Sequence, residues 1–545
     1  MATLHLFFLM ATTVIFALLL LLRLRRGQGD GKRLPPGPPS LVLLFSAAWL
    51  GLTSSPAEAE PLLQRLFRRY GPIVSLRVGS RLAIFVADRR LAHTALVQRG
   101  AAMADRPSFA SARILGADDN YSVTRAGYGP VWRLLRRNLV AETLHPSRAR
   151  RFTPARLWAR RVLVEKLRRQ ADGGGAPAPV TATFQHAVFC LLLTMCFGER
   201  LDENLVRAIT AAQNDQVRYM FSKMSVFAFL PSVAERLFAG RVRTMLSLRR
   251  RQRELFLPLI DARREYDYKG KKRGGEREPR RRRSKSEETT LEHAYVDTLF
   301  DVRLPEEGNR PLTDDEMVNL CSEFLTAGAD TTSTALTWIM AELVKNQAIQ
   351  ERLYEEIKAR TRDDDEEVSE EDVQSMPYLK AVVLEGLRMH PPVHFVLPHM
   401  ASEDVEVGGY LVPKGATVNF MVAEMGRDER EWDMPMEFIP ERFLAGGQGK
   451  VVDVTGSTGI RMMPFGVGRR ICAGLNIAVL HLLYLVANMV REFEWKEAAG
   501  HEVDLAEKLE FMVVMEKPLR PRLVPPKAQH ANSTTLVINI PAKRS

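Results

Sequence analysis

One cysteine lies in a loop of unusual composition, and its surroundings raise the question of what chemistry this chain performs. Residues 464–475 read PFGVGRRICAGL, with three glycines, two arginines and Cys472, one of only four cysteines in 545 residues. No C-x-x-C pair occurs, so the usual structural zinc site is excluded, and a redox thiol would have no resolving cysteine nearby. A dinucleotide loop does not fit either, because Ile471 stands where its third glycine belongs. A buried inert thiol would leave the surrounding glycines and arginines unexplained.

Two further motifs place polar groups where an apolar helix would not need them. Residues 327–332 read AGADTT inside a long apolar stretch, and glycine and β-branched threonine are poor choices at a helix centre. A helix-packing contact through small residues is one explanation, and a chemical role for Asp330 and Thr331 is the other. Glu385 and Arg388 lie three residues apart in another apolar helix, where a buried charge needs a partner.

The cysteine loop resembles the heme-binding loop of the cytochrome P450 superfamily. The pattern F-x-x-G-x-R-x-C-x-G is formed by Phe465, Gly468, Arg470, Cys472 and Gly474. The resemblance implies heme b, with the thiolate of Cys472 as the axial ligand of its iron. A position at a helix start, with its dipole and free N–H groups, predicts a stabilised thiolate. Phe465 would shield the sulfur, Arg470 would pair with a heme propionate, and the glycines, including Gly474, would let the backbone approach closely.

The charged pair of the apolar helix also matches this family. Glu385 and Arg388 form its E-x-x-R motif, and the segment FIPERF supplies Arg442. The resemblance implies that these three residues form a network that locks the cysteine loop, with a structural and not a catalytic role.

Three more assignments follow from the resemblance. In AGADTT, Gly328 would open a groove for O2, while Asp330 and Thr331 would deliver protons. Trp132 and Arg136 match the family's W-x-x-x-R, whose side chains both reach a heme propionate. His399 follows a proline at the position where many relatives have a propionate-binding arginine.

These motifs together imply an enzyme. The details are most similar to plant A-type microsomal members, and segments such as FLTAGADTT resemble the plant family numbered eighty-nine. Such an enzyme is a monooxygenase that inserts one atom of O2 into a hydrophobic small molecule. Because the chain has no NAD or flavin fingerprint, electrons would come from another protein, and the resemblance implies that this partner is NADPH–cytochrome P450 reductase. Two alternatives are a heme-thiolate isomerase or dehydratase, which needs neither O2 nor reductase, and a non-enzymatic, membrane-tethered binding protein.

Several apolar segments are candidates for the substrate pocket in the family's arrangement. They are the surroundings of Phe109, residues 220–230, Phe324, residues 393–397 and residues 511–513. Their flexible, hydrophobic side chains suit an apolar ligand. Packing in the core is the alternative for many of them.

The elements that must position these residues are mostly helical. Apolar periodicity predicts helices over 317–345 and 378–390 and after the cysteine loop. Alternating patterns predict a hairpin over 71–90 and strands within 408–423 and 511–515. The predicted fold class is mainly α with a minor β portion, the cytochrome P450 fold, preceded by one N-terminal transmembrane helix.

The N-terminus predicts a membrane anchor. Residues 3–22 carry no charge and are long enough to cross a bilayer core of about 30 Å. Three arginines follow within residues 23–26, which predicts that the body faces the cytosol, and the resemblance implies the endoplasmic reticulum membrane. The predicted organisation is a transmembrane signal anchor (1–22), a basic, proline-rich hinge (23–40), a heme-thiolate catalytic domain (41–525) and a disordered C-terminal tail (526–545).

Charge alone does not indicate a nucleic-acid partner. The net charge is +12, and much of the excess lies in the run over 271–286. Glycines and a proline interrupt this run, no aromatic residues are interleaved, and an acidic stretch occupies 363–372. A solvated loop, with no nucleic acid bound, is the prediction.

Overall fold

The computed structural model describes residues 33–38, 59–78, 81–107, 121–172, 177–223, 227, 237–272, 290–361, 367–449 and 452–525. The predicted transmembrane segment over 1–22, the predicted tail over 526–545 and residues 273–286 of the basic run lie outside these residues, as does Phe109.

Helices form most of the described body. In chain order they are α1 (Ala59–Tyr70), α2 (Arg89–His93), α3 (Pro130–Asn138), α4 (Pro146–Ala149), α5 (Thr153–Asp172), α6 (Thr181–Phe197), α7 (Glu203–Lys223), α8 (Ala239–Lys272), α9 (Tyr295–Phe300), α10 (Asp314–Lys345), α11 (Gln347–Arg360), α12 (Glu370–Gln374), α13 (Pro377–Met389), α14 (Val422–Gly426) and α15 (Leu475–Glu492). Two π-helical turns, Thr94–Gln98 and Leu139–Leu144, continue α2 and α3.

The strands are short and form a minor part of the body. They are β1 (Ile73–Val78), β2 (Arg81–Val86), β3 (Arg303–Leu304), β4 (Arg310–Pro311), β5 (His399–Met400), β6 (Val405–Val407), β7 (Tyr410–Val412), β8 (Thr417–Phe420), β9 (Glu494–Lys496), β10 (Glu507–Leu509), β11 (Val513–Met515) and β12 (Arg522–Val524). The largest described sheet has the order β1-β2-β8-β5, with β2 and β8 parallel. The predicted antiparallel pair within 71–90 is confirmed, since Ile73 lies opposite Val86. The mainly helical fold class is confirmed as well.

Helix α10 is the centre of the body. Its first turn is closed by a capping box, in which the Thr313 N–H donates to the Glu316 carboxylate at 2.7 Å and the Glu316 N–H donates to the Thr313 hydroxyl at 3.3 Å. From Thr332 to Val344 every side chain of α10 is buried. Helices α6, α13 and α15 pack around it, so groups on α10 can reach the middle of the molecule.

Close helix packing fixes α13 beside α10. Helix α13 starts with Pro377, whose missing N–H costs nothing at that position, and ends at Met389, ahead of Pro391. Gly386 lets the two helices approach, because a Cβ at this position would lie 2.5 Å from Cγ1 of Ile339. This contact orients the helix that carries Glu385 and Arg388.

One described helix is long and apolar enough to cross a membrane, and it belongs to the core. This helix is α15, and 61% of it is buried inside the body. Its apolar surface packs against other helices, so its composition reflects burial in protein.

Part of the predicted hinge lies against the sheet. Ser75 of β1 donates its backbone N–H to the carbonyl of Pro36 at 2.9 Å and its hydroxyl to the carbonyl of Pro35 at 2.6 Å. The N–H of Leu411 donates to the carbonyl of Arg33 at 3.0 Å. These bonds attach residues 33–38 to the body.

Candidate functional site

The cysteine loop folds back on itself and is fixed to the π-helical turn after α2. The N–H of Cys472 donates to the carbonyl of Phe465 at 2.8 Å, which closes the loop. Gly466 and Gly468 have φ angles of +64° and +71°, where residues with a Cβ are strained. A Cβ at Gly468 would also collide with the backbone carbonyl of Leu96. Glycine at 468 is therefore required twice, for its conformation and for this contact.

The thiol of Cys472 differs from the other three. Its side chain is exposed, whereas Cys190, Cys196 and Cys321 are buried. The sulfur nevertheless lies deep among protein atoms, and this burial raises the pKa of the Cys472 thiol, although the Gly474 amide and a nearby guanidinium oppose the shift. The amide at the helix start favours a thiolate, but burial has the larger effect on the pKa, so the thiolate of Cys472 stays a prediction. A thiolate here needs a cation at the sulfur, as a bound iron would provide.

Three arginines converge beside the loop, and we call Arg106, Arg136 and Arg470 the arginine cluster. Each donates to backbone carbonyls: Arg106 to Thr124, Leu397 and Pro398, Arg470 to Ala104 and Ala126, and Arg136 to Ile471. Burial and the repulsion from Arg470 and Arg136 lower the pKa of Arg106 to about 9. Burial likewise lowers the pKa of Arg470 to about 10, with repulsion from Arg136 opposed by attraction to Asp105. The cluster therefore holds more positive charge than its surroundings neutralise.

The donor set of the arginine cluster fits the anionic edge of a heme. Nη1 of Arg470 is buried and has no hydrogen-bond partner among the described residues, and a buried unpaired donor is costly. Carboxylates accept charge-assisted hydrogen bonds from guanidinium groups. Two propionates beside this cluster and an iron at the Cys472 sulfur would satisfy both features. Sequence reasoning missed Arg106, because a lone arginine before a proline has no pattern that separates it from a surface arginine.

Trp132 and His399 lie beside the arginine cluster, and each makes a hydrogen bond to a backbone carbonyl. The Trp132 ring contacts both Arg470 and Arg136, with its centroid 4.1 Å and 5.5 Å from the two guanidinium carbons. Its indole N–H donates to the carbonyl of Val123 at 2.9 Å. Nδ1 of His399 faces the carbonyl of Met103 at 2.6 Å, so the proton lies on Nδ1 and Nε2 has none to donate.

The environment of His399 keeps it neutral. Burial, followed by repulsion from Arg106, lowers its pKa to about 3. A neutral imidazole with its proton on Nδ1 has no second N–H for a propionate, and the predicted contact of His399 with a propionate stays a prediction.

The AGADTT motif lies in the middle of α10, and its polar groups point in two directions. The Thr331 hydroxyl donates to the carbonyl of Ala327 at 2.7 Å, and both residues lie on a partly accessible face. Asp330 accepts a hydrogen bond from Gln185 of α6 at 3.0 Å, and burial raises its pKa. The motif thus combines an accessible hydroxyl with a carboxyl group that holds its proton more tightly than usual.

Gly328 is explained by helix packing. A Cβ at this position would lie 2.8 Å from Cδ1 of Leu192 on α6. The glycine lets α6 and α10 approach, which is the packing alternative weighed for this motif. The O2 groove predicted at Gly328 stays a prediction.

Glu385, Arg388 and Arg442 come together as the sequence predicted. Arg388 binds both carboxylate oxygens of Glu385, at 2.7 Å and 2.8 Å, and Arg442 binds one of them at 3.2 Å. At most 5% of any of the three residues is exposed. The Trp432 ring stacks on Arg388 and donates its N–H to the carbonyl of Arg461 at 3.3 Å, and Arg461 leads into the cysteine loop. We call these three charged residues the glutamate network.

The predicted pocket segments are divided between an accessible surface and the core. The rings of Phe221 and Phe511 lie 4.3 Å apart, which brings two of these segments together. The Phe465 side chain packs against the main hydrophobic core. Phe324 is buried and stacks on Tyr295 at 4.9 Å, so it is a core residue.

Comparisons with known proteins agree with the fold and the site. Residues 35–522 match the family Cytochrome P450. Cytochrome P450 89A9 of Arabidopsis thaliana is 40% identical over 90% of this chain and 94% of its own length. Flavonoid 3'-monooxygenase of the same plant is 31% identical over 96% and 98%, and tryptamine 5-hydroxylase of Oryza sativa subsp. japonica is 29% identical over 94% of each chain.

The fold agrees with solved structures too. A zebra fish cytochrome P450 with progesterone has a TM-score of 0.68 and 22% identity, over 86% of this chain and 99% of that one. The similarity covers the whole described body, and the plant relatives are named as monooxygenases or hydroxylases. This chain therefore belongs to the cytochrome P450 family, the oxidoreductases that bind heme through a cysteine thiolate and use O2 with electrons from a partner.

Proposed function

We propose that Cys472 is the thiolate ligand, that the arginine cluster holds the heme propionates, and that the enzyme transfers one oxygen atom to a hydrophobic small molecule. The observation that carries this proposal is an accessible thiol beside three arginines that have no direct carboxylate partner among the described residues. A heme complements both, since it offers iron to the sulfur and two carboxylates to the arginines.

The protein's own groups hold the cofactor and handle protons. When bound, heme supplies the iron on which O2 is activated. The raised pKa of Asp330 means that its carboxyl keeps a proton to higher pH than an exposed aspartate does. The Thr331 hydroxyl already donates to Ala327, so its oxygen lone pairs are free to accept a hydrogen bond from a water molecule. Gln185 binds one oxygen of Asp330, and the other oxygen can hold the proton that is passed on through such a water.

A hydrophobic substrate fits the apolar groups on the accessible face. Phe221 is 44% exposed and contacts Phe511, and Leu397 is 50% exposed. Exposed apolar side chains around a cofactor site favour an apolar ligand. Two relatives are named for flavonoid and tryptamine substrates, which supports a small-molecule substrate here.

We propose NADPH–cytochrome P450 reductase as the electron donor. Arg133 and Arg469 are exposed, and both lie beside Tyr128, at 5.2 Å and 5.6 Å from its ring. Arg469 belongs to the cysteine loop, so this basic surface adjoins the thiolate side of the site. An acidic partner would be attracted to it by complementary charge.

The membrane assignment rests on the sequence. The uncharged segment over 3–22, followed by arginines, supports a single anchor in the endoplasmic reticulum membrane with the body in the cytosol. A protease-protection assay on microsomes tests this, because digestion of the body from outside is expected. Protection of the body would contradict the topology.

Two measurements test the proposed reaction. Reduced protein treated with CO is expected to show the red-shifted Soret band of thiolate ligation, and Cys472→Ser is expected to lose it, whereas Cys190→Ala keeps it. A Cys472→Ser protein with an unchanged band would overturn the ligand assignment. With reductase, NADPH and O2, a hydrophobic substrate should gain one oxygen atom, and turnover without reductase and NADPH would indicate the isomerase alternative instead.

A further inference from the structure

We propose that Glu323 is a positioning residue that fixes the arginine cluster for heme binding. Glu323 lies on α10, eight residues before Thr331, and takes no part in the motifs described so far. Its carboxylate accepts hydrogen bonds from the loop over 122–124. The donors are the Ser122 hydroxyl at 2.9 Å, the Val123 N–H at 2.9 Å, the Thr124 N–H at 2.6 Å and the Thr124 hydroxyl.

The same loop holds the cluster through its carbonyl groups. Val123 accepts the indole N–H of Trp132 at 2.9 Å, and Thr124 accepts Nε of Arg106 at 2.9 Å. Ala126 accepts Nη2 of Arg470 at 2.6 Å. The N–H groups of Val123 and Thr124 therefore bind Glu323, while their carbonyls hold Trp132 and Arg106, and the carbonyl of Ala126, just after the loop, holds Arg470.

In this arrangement, the Glu323 carboxylate fixes the orientation of several side chains through the loop. Outside regular secondary structure, a loop keeps its carbonyl directions only where its N–H groups are bound. Two carboxylate oxygens that accept four donors fix two successive peptide groups, and charge-assisted bonds of this kind are the strong ones. Without them, the Val123 carbonyl, which shares a peptide group with the Thr124 N–H, loses its fixed direction, and so does Trp132. The Thr124 carbonyl is affected through Ser122, whose hydroxyl donates to Glu323 and accepts the Arg125 N–H of the next peptide group, and Arg106 loses its direction in turn.

A second residue of α10 supports the same loop. Asn319 lies one turn before Glu323 on the same helix face, and its amide donates to the carbonyl of Tyr121 at 3.3 Å. Arg125 in turn donates to the Asn319 side-chain oxygen at 3.3 Å. The helix thus holds the loop from 121 to 125, and Glu323 supplies the charged part of that contact.

The test uses the full-length holoenzyme and measures heme release to a heme-free acceptor globin. Glu323→Gln is expected to release heme about 10- to 100-fold faster, the range typical for residues that orient a ligand-binding group. In Glu323→Gln, an NH2 group replaces one carboxylate oxygen, so a hydrogen-bond donor faces the donors of the loop. A release rate equal to that of the parent enzyme would overturn the proposal.

A matched variant on the same helix separates positioning from a general loss of stability. Glu342 is buried and binds His390 at 2.8 Å, far along α10 from the loop. Glu342→Gln is expected to lower the melting temperature without accelerating heme release. If Glu342→Gln, at an equal loss in melting temperature, releases heme as fast as Glu323→Gln, the effect is general and the positioning role fails.

The inference rests on the proposed role of the arginine cluster. A third variant, Arg470→Gln, distinguishes a failure of the role of Glu323 from a failure of the proposed propionate site. If Arg470→Gln accelerates heme release and Glu323→Gln does not, only the role of Glu323 fails; if neither does, the proposed propionate site fails as well. In the double variant of Glu323→Gln with Arg106→Gln, the two effects should combine to less than their product, because Glu323 acts partly through Arg106. A full product would mean that Glu323 does not act through Arg106, which would also count against the proposal.

Discussion

Two groups of arginines in the described part of the molecule differ in their partners, the buried pair of the glutamate network and the partly buried arginine cluster. In the glutamate network, the nitrogens of Arg388 and Arg442 donate to Glu385, to backbone carbonyls and to one glutamine side chain. In the arginine cluster, the described hydrogen bonds go to carbonyls alone, and Nη1 of Arg470 has no described partner. The arginines of the first group bind a carboxylate of their own chain, whereas the second group keeps a guanidinium nitrogen without a described hydrogen-bond partner.

This difference separates structure from ligand binding. A buried arginine that binds a carboxylate of its own chain needs nothing more, and its removal damages the fold. A set of desolvated arginines that repel one another is retained at a cost to the protein alone, unless an anion joins it. The lowered pKa values of Arg106 and Arg470 reflect that cost. The two groups should therefore respond in opposite ways to mutation.

The largest expected effect is the loss of the glutamate network. Glu385→Gln removes the only carboxylate that Arg388 and Arg442 bind among the described residues, so two buried guanidinium groups lose their counter-charge. We expect a loss of about 3–5 kcal/mol in the free energy of unfolding, with or without heme. Chemical denaturation measures it. The exposed Glu355→Gln on α11 is the control and should change stability by less than about 0.5 kcal/mol.

The next effect concerns the loop that carries the thiol. Gly468→Ala adds both left-handed strain and a collision with the Leu96 carbonyl, whereas Gly500→Ala at φ +75° adds strain alone, since nothing lies within 4 Å. Gly500→Ala should cost about 1–2 kcal/mol, and Gly468→Ala about 1–3 kcal/mol more. Thermal unfolding of both variants measures the difference. Equal losses would mean that the loop is not held against Leu96.

In the arginine cluster, mutation should reduce heme affinity more than it reduces the stability of the heme-free protein. Arg106→Gln removes one charge from a repulsive cluster, so we expect the stability of the heme-free protein to change by less than about 1 kcal/mol, because relief of repulsion offsets the lost hydrogen bonds. Heme affinity should fall about tenfold or more. Unfolding of the heme-free protein and heme titration measure the two quantities. A large loss of heme-free stability with unchanged affinity would place Arg106 with the glutamate network.

The smallest expected effect concerns the pH dependence of stability at a third charged site, which is centred on His394. His394 lies between two carboxylates, Glu60 at 2.8 Å and Glu507 at 3.5 Å, and these partners raise its pKa against the effect of burial. Its contribution to stability is complete below about pH 6.5 and is lost as the pH rises through the raised pKa, with a slope of at most about 1.4 kcal/mol per pH unit.

The pH dependence of unfolding measures this contribution. His394→Gln should flatten the decline of stability above about pH 6.5, whereas the exposed His501→Gln should leave it unchanged. A variant curve parallel to that of the parent protein would show that His394 is not charged between its two carboxylates.

Local patterns were enough to predict much of the site. The hairpin over 71–90, the helix ended by Pro391 and the loop around Cys472 depend on neighbouring residues, so their sequence predicted them. Glu385 and Arg388 share one helical face because they lie three residues apart, and this pair was predicted together with Arg442. The effect of burial on the pKa of Cys472 could not be predicted in this way, since burial depends on elements far away in sequence.

The sequence by itself determined the family, the cysteine loop and the charged pair of α13, because these are encoded in short spacings along one chain. Only the tertiary structure decided which arginines meet, since Arg106 and Arg470 are joined by contacts between distant segments. It also decided that His399 donates a hydrogen bond from Nδ1 to the Met103 carbonyl and that Gly328 faces Leu192. The direction of a side chain and its solvation depend on what the fold packs against it, and a linear pattern does not contain that information.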